Sequence, residues 1–113
     1  MMKTAPLASQ VMVALVTCPS PAVARRLARR LVDERVAACV SVVLGVESTF
    51  RWQGKVERCR EALLLIKTTA ARFKELRRTV LRLHPYDVPE IIALPVVAGH
   101  PPYLRCVAAN SLT

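Results

Sequence analysis

Gln53-Gly54 lies between two long extended runs near the middle of the chain, and a two-residue turn of this kind makes them pair as an antiparallel hairpin. The outgoing run, Val46 to Trp52, continues a β-rich stretch from Ala38 to Leu44, with Gly45 between them permitting a bend or bulge. The returning run, Lys55 to Thr68, has Ala62-Leu63-Leu64-Leu65-Ile66 as its buried end. The tip of so long a hairpin projects beyond any sheet it joins. Phe50, Arg51 and Trp52 flank the turn, so either another chain covers these rings or Trp52 folds back on its own hairpin.

The flanks of the hairpin read as strand and helix in alternation. Val11 to Thr17 is continuously apolar and β-branched, as suits a strand buried on both faces. Ser20 is placed to cap a helix and Pro21 to occupy its first position. Val23, Leu27 and Leu31 recur every four residues up to about Arg35, while Arg25, Arg26, Arg29 and Arg30 fall largely to the other side. Thr69 is placed to cap a second helix, whose stripe Phe73, Leu76, Val80 and Leu83 is stopped by Pro85. The proline-rigidified stretch His84 to Glu90 leads to a last buried strand, Ile91 to Val97. A turn at Gly99-His100-Pro101-Pro102 and a short helix from Tyr103 to about Ala109 complete the chain. The order implies an α+β, ferredoxin-like βαββαβ sandwich with an added C-terminal helix and a long β-hairpin. Residues 1–10 read as a flexible lead-in and residues 11–113 as a single domain.

At 53% hydrophobic and 22% charged, the 113 residues are too apolar for a disordered chain. No stretch of about 18 apolar residues exists to span a membrane. The apolar run after Lys3 reads as a strand rather than a signal segment, which places the protein in the cytoplasm. Cys18, Cys39, Cys59 and Cys106 form no C-x-x-C pair and are expected to be reduced and mostly buried. Lys and Arg number 17 against 8 acidic residues, a formal charge of +9. Thirteen of the cations are arginine, carried mainly on the two helices. An RNA-reading module of this fold would need aromatics across its open sheet face, and this chain has only Phe50, Trp52, Phe73, Tyr86 and Tyr103. Nucleic acid is therefore not the expected partner. The arginines read as a solvated face on which Asp33 and Glu34 pair with Arg29 and Arg30.

Candidate chemistry is sparse. No Ser-His-Asp set assembles and the three glycines are too dispersed for a phosphate loop, so the chain is not expected to be an enzyme or to hold an organic cofactor. His84, His100 and the cysteines have no paired-ligand spacing, so a metal site would have to be built from distant parts or from several chains. His84 by itself reads as a partner for the last carbonyls of the second helix.

Five stretches together resemble the CutA divalent-cation tolerance proteins: Leu31 to Cys39, Phe50 to Lys55, Ile66 to Thr69, His84 to Ile91, and Tyr103-Leu104. The resemblance covers roughly residues 11–110. It implies a ferredoxin-like subunit that assembles as a homotrimer with hairpins crossing between neighbours, and a link to tolerance of copper and other divalent metals. Trp52, Lys67, His84, Tyr86, Glu90 and Tyr103 occupy the motif positions and are the expected residues of an intersubunit cleft. Within it Lys67 would meet an anion, while Glu90 and His84 would meet a weakly bound Cu2+ or another divalent cation. Some members place a cysteine in the first strand and a second histidine before the His-Pro-Tyr motif, where this chain has Val16 and Leu83. The resemblance thus implies a non-enzymatic protein of metal homeostasis. The alternatives are a regulator similar to the PII signalling proteins that acts on a protein partner, and a basic nucleic-acid binder.

Overall fold

The structure is a computed structural model that describes residues 10–112; Gln10 apart, the lead-in expected over 1–10 lies outside the described residues. The elements run β1 (Val11–Cys18), α1 (Pro21–Asp33), β2 (Cys39–Trp52), β3 (Lys55–Thr69), a 3-10 turn (Ala70–Arg72), α2 (Phe73–Leu83), β4 (Ile92–Pro95) and α3 (Pro101–Ala109). The strands form one sheet in the order β2-β3-β1-β4, antiparallel at every junction. Each half is a strand, a crossing helix and a strand, which is the ferredoxin-like arrangement, extended by α3.

Local chemistry places each of these elements. The Ser20 hydroxyl accepts from Val23 N–H at 3.2 Å and Pro21 opens α1, so two of the helix's free N-terminal positions cost nothing. Arg35 leaves the helix at φ 59 and turns the chain toward β2. At the hairpin tip Gln53 and Gly54 both have positive φ, 50 and 80, the geometry of a type I′ turn. Leu44 and Gly45 stand together opposite Ala62 as a β-bulge, with Gly45 at φ 72.

The core lies between α1 and α2 on one side and one face of the sheet on the other. Ala24, Leu27 and Leu31 of α1 and Leu76 and Val80 of α2 pack on Ala14, Val16, Leu64 and Ile66, all buried. Each large aliphatic side chain taken out of water here contributes about 1.5–3 kcal/mol. Thr68, fully buried, donates from Oγ1 to the Val36 carbonyl at 2.7 Å, so its hydroxyl is satisfied. On the other face α3 covers only one end, where Leu104 and Val107 pack on Val11.

Several expectations need correction. Thr69 makes no capping bond; a 3-10 turn intervenes, and α2 starts at Phe73. β4 is shorter than the run from Ile91 to Val97: only Ile92–Pro95 pairs, with Met12–Leu15 of the eight-residue β1. α3 begins at Pro101 rather than after a Pro101-Pro102 turn, since proline is well suited to a first helical turn. β1 is not buried on both faces: Val13, Leu15 and Thr17 are only half-buried on the side away from α1. Of the four thiols, all free, only Cys18 is buried, and Cys106 is exposed.

Candidate functional site

Cross-strand partners share a face, so the register identifies the side of the sheet that α1 and α2 leave open. It presents Val13, Leu15, Val43, Leu63, Leu65 and Leu94. Val43 and Leu94 are 39% and 51% exposed, a large apolar area for one subunit to leave in water. Past the bulge, the same face continues along a two-stranded arm of about seven residues per strand, roughly 23 Å. The arm makes the molecule 55 Å long against 25 Å and 22 Å in the other directions. Phe50 and Trp52 point to this side, and both remain more than 40% exposed. Trp52 is not folded away against its own hairpin.

Where the arm leaves the body, a concavity of about 830 Å³ opens between it, the end of β1 and the loop that follows α2. Trp52, Tyr86 and Glu90 line it, as do Phe50, Cys59 and Glu61. Of the chain's eight acidic residues, four face this space, Glu57, Glu61, Asp87 and Glu90, against the single cation Arg58. The concavity is therefore negative in an otherwise basic protein.

The loop is held from beneath by His84. Its Nε2–H donates to the Thr17 carbonyl at 2.8 Å, and its Nδ1 accepts from the Tyr86 N–H at 3.1 Å. The second bond requires a bare Nδ1, which fixes the proton on Nε2. His84 is 7% exposed, and its ring packs against that of Tyr86 with centroids 4.7 Å apart. The expectation that His84 ligates a metal is at odds with these surroundings, because both nitrogens are committed and a cation would have to break one bond. The expected role as a partner for helix carbonyls also changes: the imidazole bonds to β1, and it is the His84 backbone N–H that reaches the Val80 carbonyl, at 2.8 Å.

Tyr86 is tied to the base of the arm, its hydroxyl donating to Glu61 Oε2 at 2.8 Å. Burial, with that bond and the neighbouring carboxylate, raises the Tyr86 hydroxyl far above its ordinary range. The same carboxylate adds to burial in pushing the Cys18 thiol up to about 11, and burial with Glu61 and Glu57 raises Cys59.

Lys67 and Tyr103 stand elsewhere. Lys67 Nζ donates to Ser41 Oγ at 2.6 Å on the open face, six residues up β3 from Glu61 and so roughly 20 Å away. Tyr103, on α3, lies beside Cys39, Lys67's partner on β2; burial and that thiol raise its hydroxyl. The six expected residues thus divide into two groups at opposite ends of one face: Trp52, Tyr86 and Glu90 around the concavity with His84 beneath, and Lys67 with Tyr103. Among the described residues no three His, Cys, Asp or Glu side chains converge as a metal centre requires.

Sequence reasoning missed Glu61, which is only 8% exposed. The available signal was an acid standing directly before Ala62-Leu63-Leu64-Leu65-Ile66, at the same strand parity as Leu63, Leu65 and Lys67.

A profile of the family described as "CutA1 divalent ion tolerance protein" matches residues 12–110. A "Divalent-cation tolerance protein CutA" from Thermus thermophilus is 50% identical over 99 residues, 88% of this chain and 96% of that protein. A solved structure of the Thermus thermophilus protein superposes with a TM-score of 0.88 over 89% of this chain and 98% of its own. A crystal structure of CutA1 from Oryza sativa, 38% identical, reaches 0.90 over 95% and 98%. "Protein CutA" from Mus musculus is 45% identical over 86% of this chain, which spans only 55% of that longer protein. One relative, from Arabidopsis thaliana, is named as chloroplastic.

Proposed function

The chain belongs to the CutA1 divalent ion tolerance family, and on that premise we propose that it acts as a non-enzymatic homotrimer of cytoplasmic metal homeostasis, linked to copper, that takes cations or small ligands in clefts between subunits. One observation carries this reading: the exposed Phe50 and Trp52 of the arm lie on the same side as the apolar, half-covered face of the sheet. A single protomer buries neither. A neighbour that accepts the arm against its own open face buries both, and three such contacts close a ring without leaving a free arm. Across that contact, the Lys67 and Tyr103 end of one subunit comes within reach of the concavity of another, and the divided residues rejoin.

Carboxylates of the concavity are the cation donors in this reading. Carboxylate oxygens suit hard divalent ions and hold Cu2+, which favours nitrogen ligands, less tightly; one chain's set is also incomplete, so the ion is bound weakly and shared between subunits. His84, spent on Thr17 and Tyr86, offers neither a ligand nor a general base. No helix among the described residues is long and apolar enough to cross a membrane.

Sedimentation at micromolar concentration, with acrylamide quenching of Trp52, tests the assembly. The expected result is a particle of three times the 12.5 kDa chain mass with a shielded indole. A folded 12.5 kDa species with a freely quenched indole defeats the reading. Calorimetric titration with Cu2+ tests the ligand: heat that falls on replacing Glu57 and Glu90 by glutamine supports it, and heat unchanged by these replacements removes the concavity as the cation site.

A further inference from the structure

We propose that the layer formed by α1 and α2 binds the phosphate backbone of nucleic acid without reading its bases. The excess positive charge is not spread over the molecule. Segments 21–35 and 70–83 hold ten Lys or Arg against only Asp33, Glu34 and Glu75, a local excess of seven out of the total of +9. Both helices pack their apolar stripes on the same face of the sheet, so their outer sides form one surface on the side away from the open face. Half of the chain's carboxylates, meanwhile, line the concavity on the other side. The protein is thus polarised, with a cationic back and an anionic groove.

Pairing within the layer leaves much of this charge unspent. Arg29 is bonded by Asp33, Arg30 and Arg82 share Glu34, and Arg78 meets Glu75. Arg25, Arg26, Lys74 and Arg77 are exposed and have no carboxylate partner among the described residues. The spacing also works against the helices. Arg25 and Arg29, Arg26 and Arg30, Lys74 and Arg78, and Arg78 and Arg82 are like charges four residues apart, each pair repulsive. A surface selected only for solubility would alternate the signs. A concentration of guanidinium groups that weakens its own helices is repaid when a polyanion neutralises it.

The same surface indicates which polyanion. Its exposed large apolar residues are only Val32 and Leu81, with no exposed aromatic ring. That leaves no aromatic platform on which bases could stack, and it also lacks the Trp, Phe and Leu face by which an amphipathic helix enters a lipid surface. The argument from the sequence against nucleic acid concerned an aromatic platform on the sheet, which base reading needs and phosphate contact does not.

Fluorescence anisotropy of a labelled random-sequence duplex DNA, from about 50 to 200 mM salt, tests the inference. Binding should weaken steeply with salt. The double variants Arg25→Glu/Arg26→Glu and Lys74→Glu/Arg77→Glu should each lose about tenfold in affinity at low salt and flatten the log–log slope by about 2. Lys55→Glu/Arg105→Glu, equal in charge change but on the arm's open side and on α3, should bind as wild type does. Thermal melts check that the variants fold, and Lys74→Gln/Arg77→Gln is the milder substitute where reversal disturbs the helix. No duplex binding at about 50 mM salt overturns the proposal. So does equal weakening by the Lys55→Glu/Arg105→Glu variant, which would mark a response to net charge alone. Binding to vesicles of equal phosphatidylserine and phosphatidylcholine without binding to duplex would overturn it in favour of a membrane.

Discussion

The Tyr86 hydroxyl donates to Glu61 Oε2 across 2.8 Å and so joins the proline-bounded loop to the residue that begins the buried half of β3. Tyr86→Phe keeps the ring against His84 and removes only the donor, leaving a carboxylate that is 8% exposed short of a hydrogen bond. The expected loss is about 1–2 kcal/mol in urea unfolding. An unchanged midpoint would mean that the bond contributes nothing net.

Alkaline stability should follow the raised thiol of Cys18. Its folded value of about 11 lies above the ordinary 9.0, so the folded state holds the proton more tightly than the unfolded chain does. The resulting stabilisation is complete below pH 9, falls as pH rises from about 9 to about 11, and amounts to about 2–3 kcal/mol. Tyr86, raised in the same direction, extends the loss to higher pH. Cys18→Ala should remove the part between pH 9 and 10, read as a flatter melting temperature across that interval; a wild-type slope in the variant would contradict the assignment.

Gln53 occupies the first position of a type I′ turn at φ 50, a conformation in which asparagine is at less cost than glutamine. Gln53→Asn should stabilise the protein by about 0.5 kcal/mol without altering its assembly. Differential scanning calorimetry reads this as a small rise in Tm, and a fall would show that the turn is remodelled by a neighbouring chain.

His84→Ala removes the acceptor for the Tyr86 N–H and the donor to the Thr17 carbonyl together. With the imidazole 7% exposed, the variant should lose about 2–4 kcal/mol, more than Tyr86→Phe, and the loop should exchange its amides faster. Hydrogen exchange at Tyr86 is the direct measurement. Wild-type protection there would place the anchor of the loop elsewhere.

What the sequence made legible was whatever local chemistry decides. Ser20-Pro21 starts a helix, Gln53-Gly54 reverses a hairpin and Gly45 admits a bulge whatever the rest of the chain does. β4 was misjudged because an apolar run does not say how much of it pairs: Ile91 to Val97 is apolar throughout, yet only four of these residues pair with β1. Thr69 has the right side chain for a cap, but the chain enters a 3-10 turn first, and the hydroxyl makes no capping bond. In the site, the aromatic and acidic motif residues stood out, whereas the importance of Glu61 arises from a tyrosine 25 positions away. The arginines were legible helix by helix; that both helices turn them to one common side is a property of the layer, not of either segment.

The extra residue at Leu44-Gly45 has a consequence for handedness. Val43 and Val46 share a face although three positions separate them, because the bulge absorbs one step of the pleat. In an uninterrupted ladder Gly45 would oppose Glu61, and the distal strand would present its odd-numbered residues where its even-numbered ones now stand. Phe50 and Trp52 would then turn toward the helical side and meet no apolar counterpart. Which way the tip aromatics look is therefore settled by arithmetic, at a glycine that touches neither of them.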